Sequence, residues 1–205
     1  MRRPKGLVEE LFWWESEGTY YLGLDGLKRP LRTVASNPAH LLWCGAVEPD
    51  RARETAQRLP AGDMWSGWGV RTISSGHPSY NLFSYQLGSV WPHDNVIAAA
   101  AFRRYGLDQE AAKVIRATFD AAARFRSSRL PELFAGIERD TSNFPVQYLG
   151  ANVPQAWASG AVIHAIDVLM GFEADAVNCR LTLRPSLPEW LPHVHRLRSG
   201  WAARA

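Results

Sequence analysis

Two stretches of this chain are apolar on almost every side of a helix, and they limit what it can fold into. They are "AHLLWCGAV" from Ala39 and "PQAWASGAVIHAIDVLMGF" from Pro154. A helix that is hydrophobic all round has no face to offer to water and must lie among other elements. Two further segments are one-sided. "PDRARETAQRL", opening at Pro49, is charged along one face. The segment after Asp108 carries Ala111, Val114, Ile115, Phe119, Ala122 and Phe125 at three- and four-residue spacing, which makes a single apolar stripe. Inner apolar helices alternating with outer amphipathic ones predict an all-α chain built as an α/α toroid, whose inner helices converge on an axis and whose loops at one rim hold a site. Roughly five or six helices can be counted, fewer than a closed ring of paired helices requires. The chain therefore reads as about half of one.

Local signals punctuate this pattern. Leu7 to Trp14 reads as the end of a helix, and "TYYLGLDGLKRPL" as a short β-hairpin turning at Asp25-Gly26. Ser36-Asn37-Pro38 supplies capping side chains ahead of a first-turn proline. Asp94 or Asn95 can cap a helix running to Tyr105 and closed by Gly106. "CRLTLRPSLPEW" reads as a short strand and turn. Residues 1–178 are thus expected to form a partial toroid, and residues 179–205 a C-terminal strand-and-turn segment. Two long loops remain, over residues 60–93 and 129–153. Loops of that length inside a domain are functional or disordered, and their aromatic content argues against disorder.

Composition excludes several function classes. The chain has 205 residues, 46% hydrophobic and 21% charged, and its 23 basic and 20 acidic residues are scattered, so no nucleic-acid footprint is expected. No window approaches a membrane span. The N-terminus, "MRRPKGLVEELFWW", has no apolar core of a signal peptide. Cys44 and Cys179 are far apart; they could pair, but reduced and packed thiols in a cytoplasmic protein are the expectation. His193 and His195 in "HVH" are two ligands at most, so no metal is expected. No P-loop, GxGxxG or nucleophile elbow appears, and no cofactor is expected.

The unusual feature is nine Trp beside six Tyr and eight Phe. Trp13, Trp14, Trp43 and Trp157 fall on helix-like segments, where filling a core is their ordinary role. Trp65, Trp68 and Trp91 fall in glycine-rich polar loops, where it is not. Three loop clusters result. "DMWSGWGVRTIS" holds Asp63, Trp65, Trp68 and Arg71; "SYQLGSVWPHDN" holds Tyr85, Trp91, His93, Asp94 and Asn95; "RLPELFAG" and "VPQAWASG" hold Arg129, Glu132, Gln155 and Trp157. Aromatic faces beside carboxylates, amides and guanidinium groups suit a sugar, with its apolar ring faces and rim of hydroxyls. Hydrolysing a glycosidic bond needs two carboxylates, one giving a proton and one activating water or attacking. Structural readings stand beside each: Asp94 as only an N-cap, Glu132 as a first-turn helix acid after Pro131, His93 as a hydrogen-bonded imidazole.

The blocks "SNPAHLLWCGAV", "DMWSGWGVRTIS", "YNLFSYQLGSVWPHDN", "RLPELFAG", "PVQYLGANVPQAWASGA" and "LRPSLPEWL" resemble, in order over about residues 10–192, the bacterial glycogen-debranching, amylo-α-1,6-glucosidase-like family of (α/α)6-barrel glycoside hydrolases. The resemblance implies the C-terminal half of such a toroid, truncated at both ends, and an inverting hydrolase acting on an α-glucan or oligosaccharide. It implies Glu132 as general base. Trp65, Trp68, Arg71, Tyr85, Trp91, His93, Asp94, Arg129, Gln155 and Trp157 would then contact substrate. The family's general acid lies in an upstream Gly-Trp-x-Asp-like motif; here Gly67-Trp68 is followed by Gly69-Val70, so the acid is expected outside this chain. Gln86-Leu87 stands where the family has His-Asn, which removes amide hydrogen bonds to a hydroxyl.

The alternative is a non-catalytic carbohydrate-binding or assembly module that uses the same aromatic loops. A terpene-cyclase toroid would need an Asp-rich diphosphate motif, and none is visible. The apolar inner helices of half a ring also predict a partner, either a second copy or the missing half.

Overall fold

A computed structural model describes residues 4–194. Six α-helices and three two-stranded antiparallel hairpins follow in the order α1 (Pro4–Leu11), β1 (Trp13–Trp14), β2 (Thr19–Tyr20), β3 (Gly23–Leu24), β4 (Pro30–Leu31), α2 (Pro38–Trp43), α3 (Pro49–Arg58), α4 (Pro92–Arg104), α5 (Asp108–Ala122), α6 (Ala156–Met170), β5 (Phe172–Asp175) and β6 (Arg180–Leu183). Helix α4 is the hub, packed against α2, α5 and α6. Three small residues on it, Ala98, Ala99 and Ala101, are buried, and so short a side chain lets neighbouring backbones approach closely. The amphipathic α3 packs on α2 and α4, and α5 packs on α4 and α6. In α5 the expected stripe is the packed face, with Ala111, Val114 and Ile115 in the main core.

Several expectations change at the element level. Trp13 and Trp14 do not extend a helix: α1 stops at Leu11, and the two residues pair with Tyr20 and Thr19 in a hairpin that the apolar run concealed. The hairpin turning at Asp25 joins β3 to β4, its turn braced by the Asp25 carboxylate, which accepts from the Leu27 and Arg29 amides. Helix α2 closes at Trp43, which is exposed, and Asn37 makes no side-chain cap. Helix α4 starts at Pro92, so neither Asp94 nor Asn95 is its cap; both lie inside its first turn. Helix α6 is not buried all round, because Ile163 and Ile166 face outward. Its C-terminal continuation is a hairpin, β5 with β6, running across residues 178 and 179. Cys44 and Cys179 are unpaired, and both are exposed rather than packed. No helix among the described residues is long and apolar enough to cross a membrane.

The two long loops are organised by backbone pairing rather than by regular strands. Isolated antiparallel bridges join Arg71 to Val90, Val90 to Phe134, and Phe134 to Gln147. Val90 and Phe134 exchange both of their amide–carbonyl bonds, at 2.9 and 3.0 Å. The segments that carry the expected site residues are thereby laid side by side at the N-terminal ends of α4 and α6.

Candidate functional site

Glu132 lies in a bend, not in a helical turn, and it is 4% exposed. A buried carboxylate must have its lone pairs met. Oε1 accepts the Tyr85 hydroxyl at 2.6 Å, and Oε2 accepts Nδ2 and the amide of Asn152 at 2.9 and 3.2 Å. The Tyr85 hydrogen bond, followed by the Asn152 bonds, outweighs burial and holds the Glu132 carboxyl below the ordinary value of 4.5. The same bond pushes the Tyr85 phenol above its ordinary 10.0. Glu132 is therefore an ionised acceptor at neutral pH, the state a general base requires. Oε1 keeps a second lone-pair direction for a further donor.

In front of this carboxylate the aromatics form a connected wall. The Tyr85 ring meets Trp91 edge-on at 4.7 Å and Tyr148 at 5.6 Å. His93 stacks on Trp157 at 4.2 Å with 9° between the planes. Trp91 is held by its indole N–H, which donates to the Tyr85 carbonyl and Ser89 Oγ, both at 3.1 Å. Tyr85, Trp91, His93 and Trp157 bound a cleft of about 540 Å³ whose polar side carries Ser36, Asn37, His40, Thr72, Gln86 and Asp94. Glu132 does not line it; Tyr85 stands between the two. A larger open cavity, about 1090 Å³, lies at the C-terminal ends of α4 and α6 between Trp43, Arg104, His164 and Asp167. It contains none of the expected site residues.

The two imidazoles at the cleft have opposite electrostatics. His93 Nδ1 is buried with no hydrogen-bond partner among the described residues, and burial lowers the pKa of the ring below its ordinary 6.5. His40 Nε2 pairs with Asp94 Oδ1 at 2.7 Å, and that bond, against the effect of burial, raises its pKa above 6.5.

Of the expected contact residues, Tyr85, Trp91, His93, Asp94 and Trp157 converge on the cleft. Others have structural work. Trp68 is 1% exposed and packs in the core with Val90, Leu130 and Phe134, with the Arg139 guanidinium over its ring at 4.3 Å. Arg71 is buried and donates to three carbonyls, those of Gly136 at 3.0 Å, Trp65 at 2.7 Å and Asp63 at 3.3 Å. Trp65 packs against the main core beneath the Lys113 ammonium. Gln155 is the N-cap of α6, its side-chain oxygen accepting from the Trp157 amide. Arg129 is exposed and outside the cleft lining. A buried Trp and a buried Arg had the composition of a site because loop aromatics and loop cations look alike before packing sorts them.

The sequence reading missed three residues. His40 was hidden inside an apolar helix, and Tyr148 and Asn152 lay in the block "PVQYLGANVPQAWASGA", from which neither was singled out. Asn95, grouped with the second loop cluster and also offered as a cap, is neither the cap of α4 nor part of the cleft lining. Its buried side chain instead accepts the Val70 amide at 2.7 Å and donates to the Val70 and Trp91 carbonyls, stapling the 65–70 turn to α4. Among the described residues, no three of His, Cys, Asp or Glu form a metal-holding group; His195 lies outside them.

No protein-family model matches the sequence, and no curated protein matches it significantly. Solved structures do match in fold. A GH63 mannosylglycerate hydrolase from Thermus thermophilus, in complex with glucose, is 19% identical with a TM-score of 0.59, covering 79% of this chain and 36% of that one. The same hydrolase with Tris gives 20% identity and 0.61, over 78% and 36%. A neutral trehalase from Saccharomyces cerevisiae is 16% identical with a TM-score of 0.59, over 80% and 29%. The chain thus shares its helical fold with part of these structures and spans about a third of their length.

Proposed function

We propose that this chain carries part of the sugar site of a glycoside hydrolase acting on an α-glucan or oligosaccharide, of the amylo-α-1,6-glucosidase-like debranching type. The observation that carries the reading is the Glu132 carboxylate, kept ionised by Tyr85 and Asn152 directly behind an aromatic cleft. The similarity of fold to glycoside hydrolases agrees with it. In this reading Glu132 activates water through the free lone pair on Oε1. Trp91, Trp157 and His93 receive the apolar face of a sugar ring. The proton donor comes from outside this chain, and loss of such a group costs about 10²- to 10⁴-fold in rate. In a complete enzyme containing this chain, Glu132→Gln abolishes turnover of an α-1,6-linked oligosaccharide and leaves its binding measurable by calorimetry. Unchanged turnover removes Glu132 from the mechanism.

One observation favours a second reading, a carbohydrate-binding module without chemistry. Every oxygen of Glu132 already has a protein donor, and the residue does not line the cleft. That reading expects saturable binding lost in Trp91→Ala, indifferent to Glu132→Gln, with no hydrolysis under any condition. In either reading the outward Ile163 and Ile166 of α6 are the surface for the rest of a ring or a second copy. Sedimentation of the wild-type chain beside Ile163→Glu tests this, a monomer in both counting against it.

A further inference from the structure

Resting on the reading of the cleft as a sugar site, we propose that the His40–Asp94 pair selects a neutral sugar by one ring hydroxyl, with Asp94 as the accepting, specificity-determining residue and His40 as its positioning residue. The pair joins α2 to α4 across the polar side of the cleft at 2.7 Å. The Asp94 side chain is only 14% exposed although the residue lines the cleft, and its Oδ1 is taken by His40. Oδ2 has no hydrogen-bond partner among the described residues. Oδ2 is not among the buried unpartnered atoms, so it opens onto the cleft, where a hydroxyl donor can take the place of water. Asp94 stands in the first turn of α4, beside His40 and at the mouth of the cleft.

His40 holds one oxygen, so the other is presented in a single direction, before any ligand arrives. That arrangement is what discriminates between ligands with and without a hydroxyl at one position. Ser36 and Asn37 flank the pair, and Trp91 and Trp157 share the cleft for the ring face. A carboxylate acceptor also repels a like charge, so a uronic acid is excluded where the neutral sugar binds.

The test is calorimetric binding of glucose, glucuronate and the monodeoxy glucoses, each lacking one hydroxyl, to the chain and its variants. Wild-type protein is expected to lose about 10- to 100-fold in affinity for one member of the deoxy series. The isosteric Asp94→Asn loses as much for glucose and no longer distinguishes that member. His40→Ala weakens the same discrimination, and His40→Gln, which retains a side-chain N–H, restores it. Equal affinity of wild type and Asp94→Asn for every sugar overturns the inference while leaving the sugar site standing. So does a uniform loss across the series. Absence of sugar binding by the wild-type chain overturns the inference together with the reading on which it rests.

Discussion

The Tyr85 hydroxyl donates to Glu132 Oε1 over 2.6 Å, a side-chain bond that adds to the Val90–Phe134 backbone pairing between the segment ahead of α4 and the segment ahead of α6. Removing the donor with Tyr85→Phe is expected to raise the Glu132 pKa toward its ordinary 4.5, since that bond is the largest cause of its depression. The sign for stability follows. A depressed carboxylate contributes stability that is present above its unfolded pKa and lost as pH falls through the folded one. The raised Tyr85 phenol contributes stability present below 10.0 and lost as pH climbs through its folded value. Carbon-detected NMR titration of the Glu132 carboxyl in both proteins checks the first part. An unmoved midpoint in Tyr85→Phe removes the hydrogen bond as its cause.

Trp68 and Trp157 should respond differently to the same truncation. Trp68→Ala empties a fully packed position and is expected to cost about 3–5 kcal/mol of folding stability. Trp157 is 48% exposed. Its removal should leave most of the stability in place, weaken sugar binding, and free the face of His93. Denaturant melts beside binding isotherms separate the two; a selective loss of binding in a stable Trp68→Ala protein would contradict its core placement.

His40 and His93 are expected to titrate on opposite sides of 6.5. Raised His40 stabilises the fold below its unfolded pKa, and that contribution disappears as pH rises through the folded value. Lowered His93 acts the other way, its contribution present above 6.5 and lost as pH falls. Histidine side-chain NMR should therefore show one midpoint above and one below the ordinary value. Asp94→Asn should bring the upper one down and, because the Asp94 charge also supports the charged form of His93, move the lower one further down.

At Gly136 the loop that carries Glu132 lies against the backbone of the Tyr85 loop at Gly88. A Cβ there would collide with the Gly88 carbonyl oxygen, and the Gly136 carbonyl itself takes the Arg71 Nε hydrogen bond. Gly136→Ala is expected to cost about 1–3 kcal/mol by overpacking and to loosen the Tyr85–Glu132 bond. A thermal melt with an unshifted midpoint would show that the loops can part without cost.

The helix layers were legible because amphipathicity is a local property. The stripe in α5 and the one-sided charge of α3 need only their own residues, and so do the closing glycine after α4 and the turn at Asp25. The placement of aromatics was not local. Trp68 and Trp91 sit in similar glycine-rich loops, yet Trp68 is enclosed by Val90, Leu130 and Phe134 whereas Trp91 fronts the cleft.

The alternation of apolar and amphipathic helices and the position of the long loops were determined by the sequence itself, whereas the spacing around Glu132 read as an ordinary first-turn helix acid and only the resemblance singled it out. Tertiary structure alone decided which loop residues meet. Asn95 joined Val70, 25 residues earlier, His40 joined Asp94 across 54, and Glu132 joined Tyr85 across 47. The physical reason is one of range. Periodicity records how a residue relates to its own element, whereas a buried polar atom takes its partner from whatever the backbone bridges bring within hydrogen-bond reach.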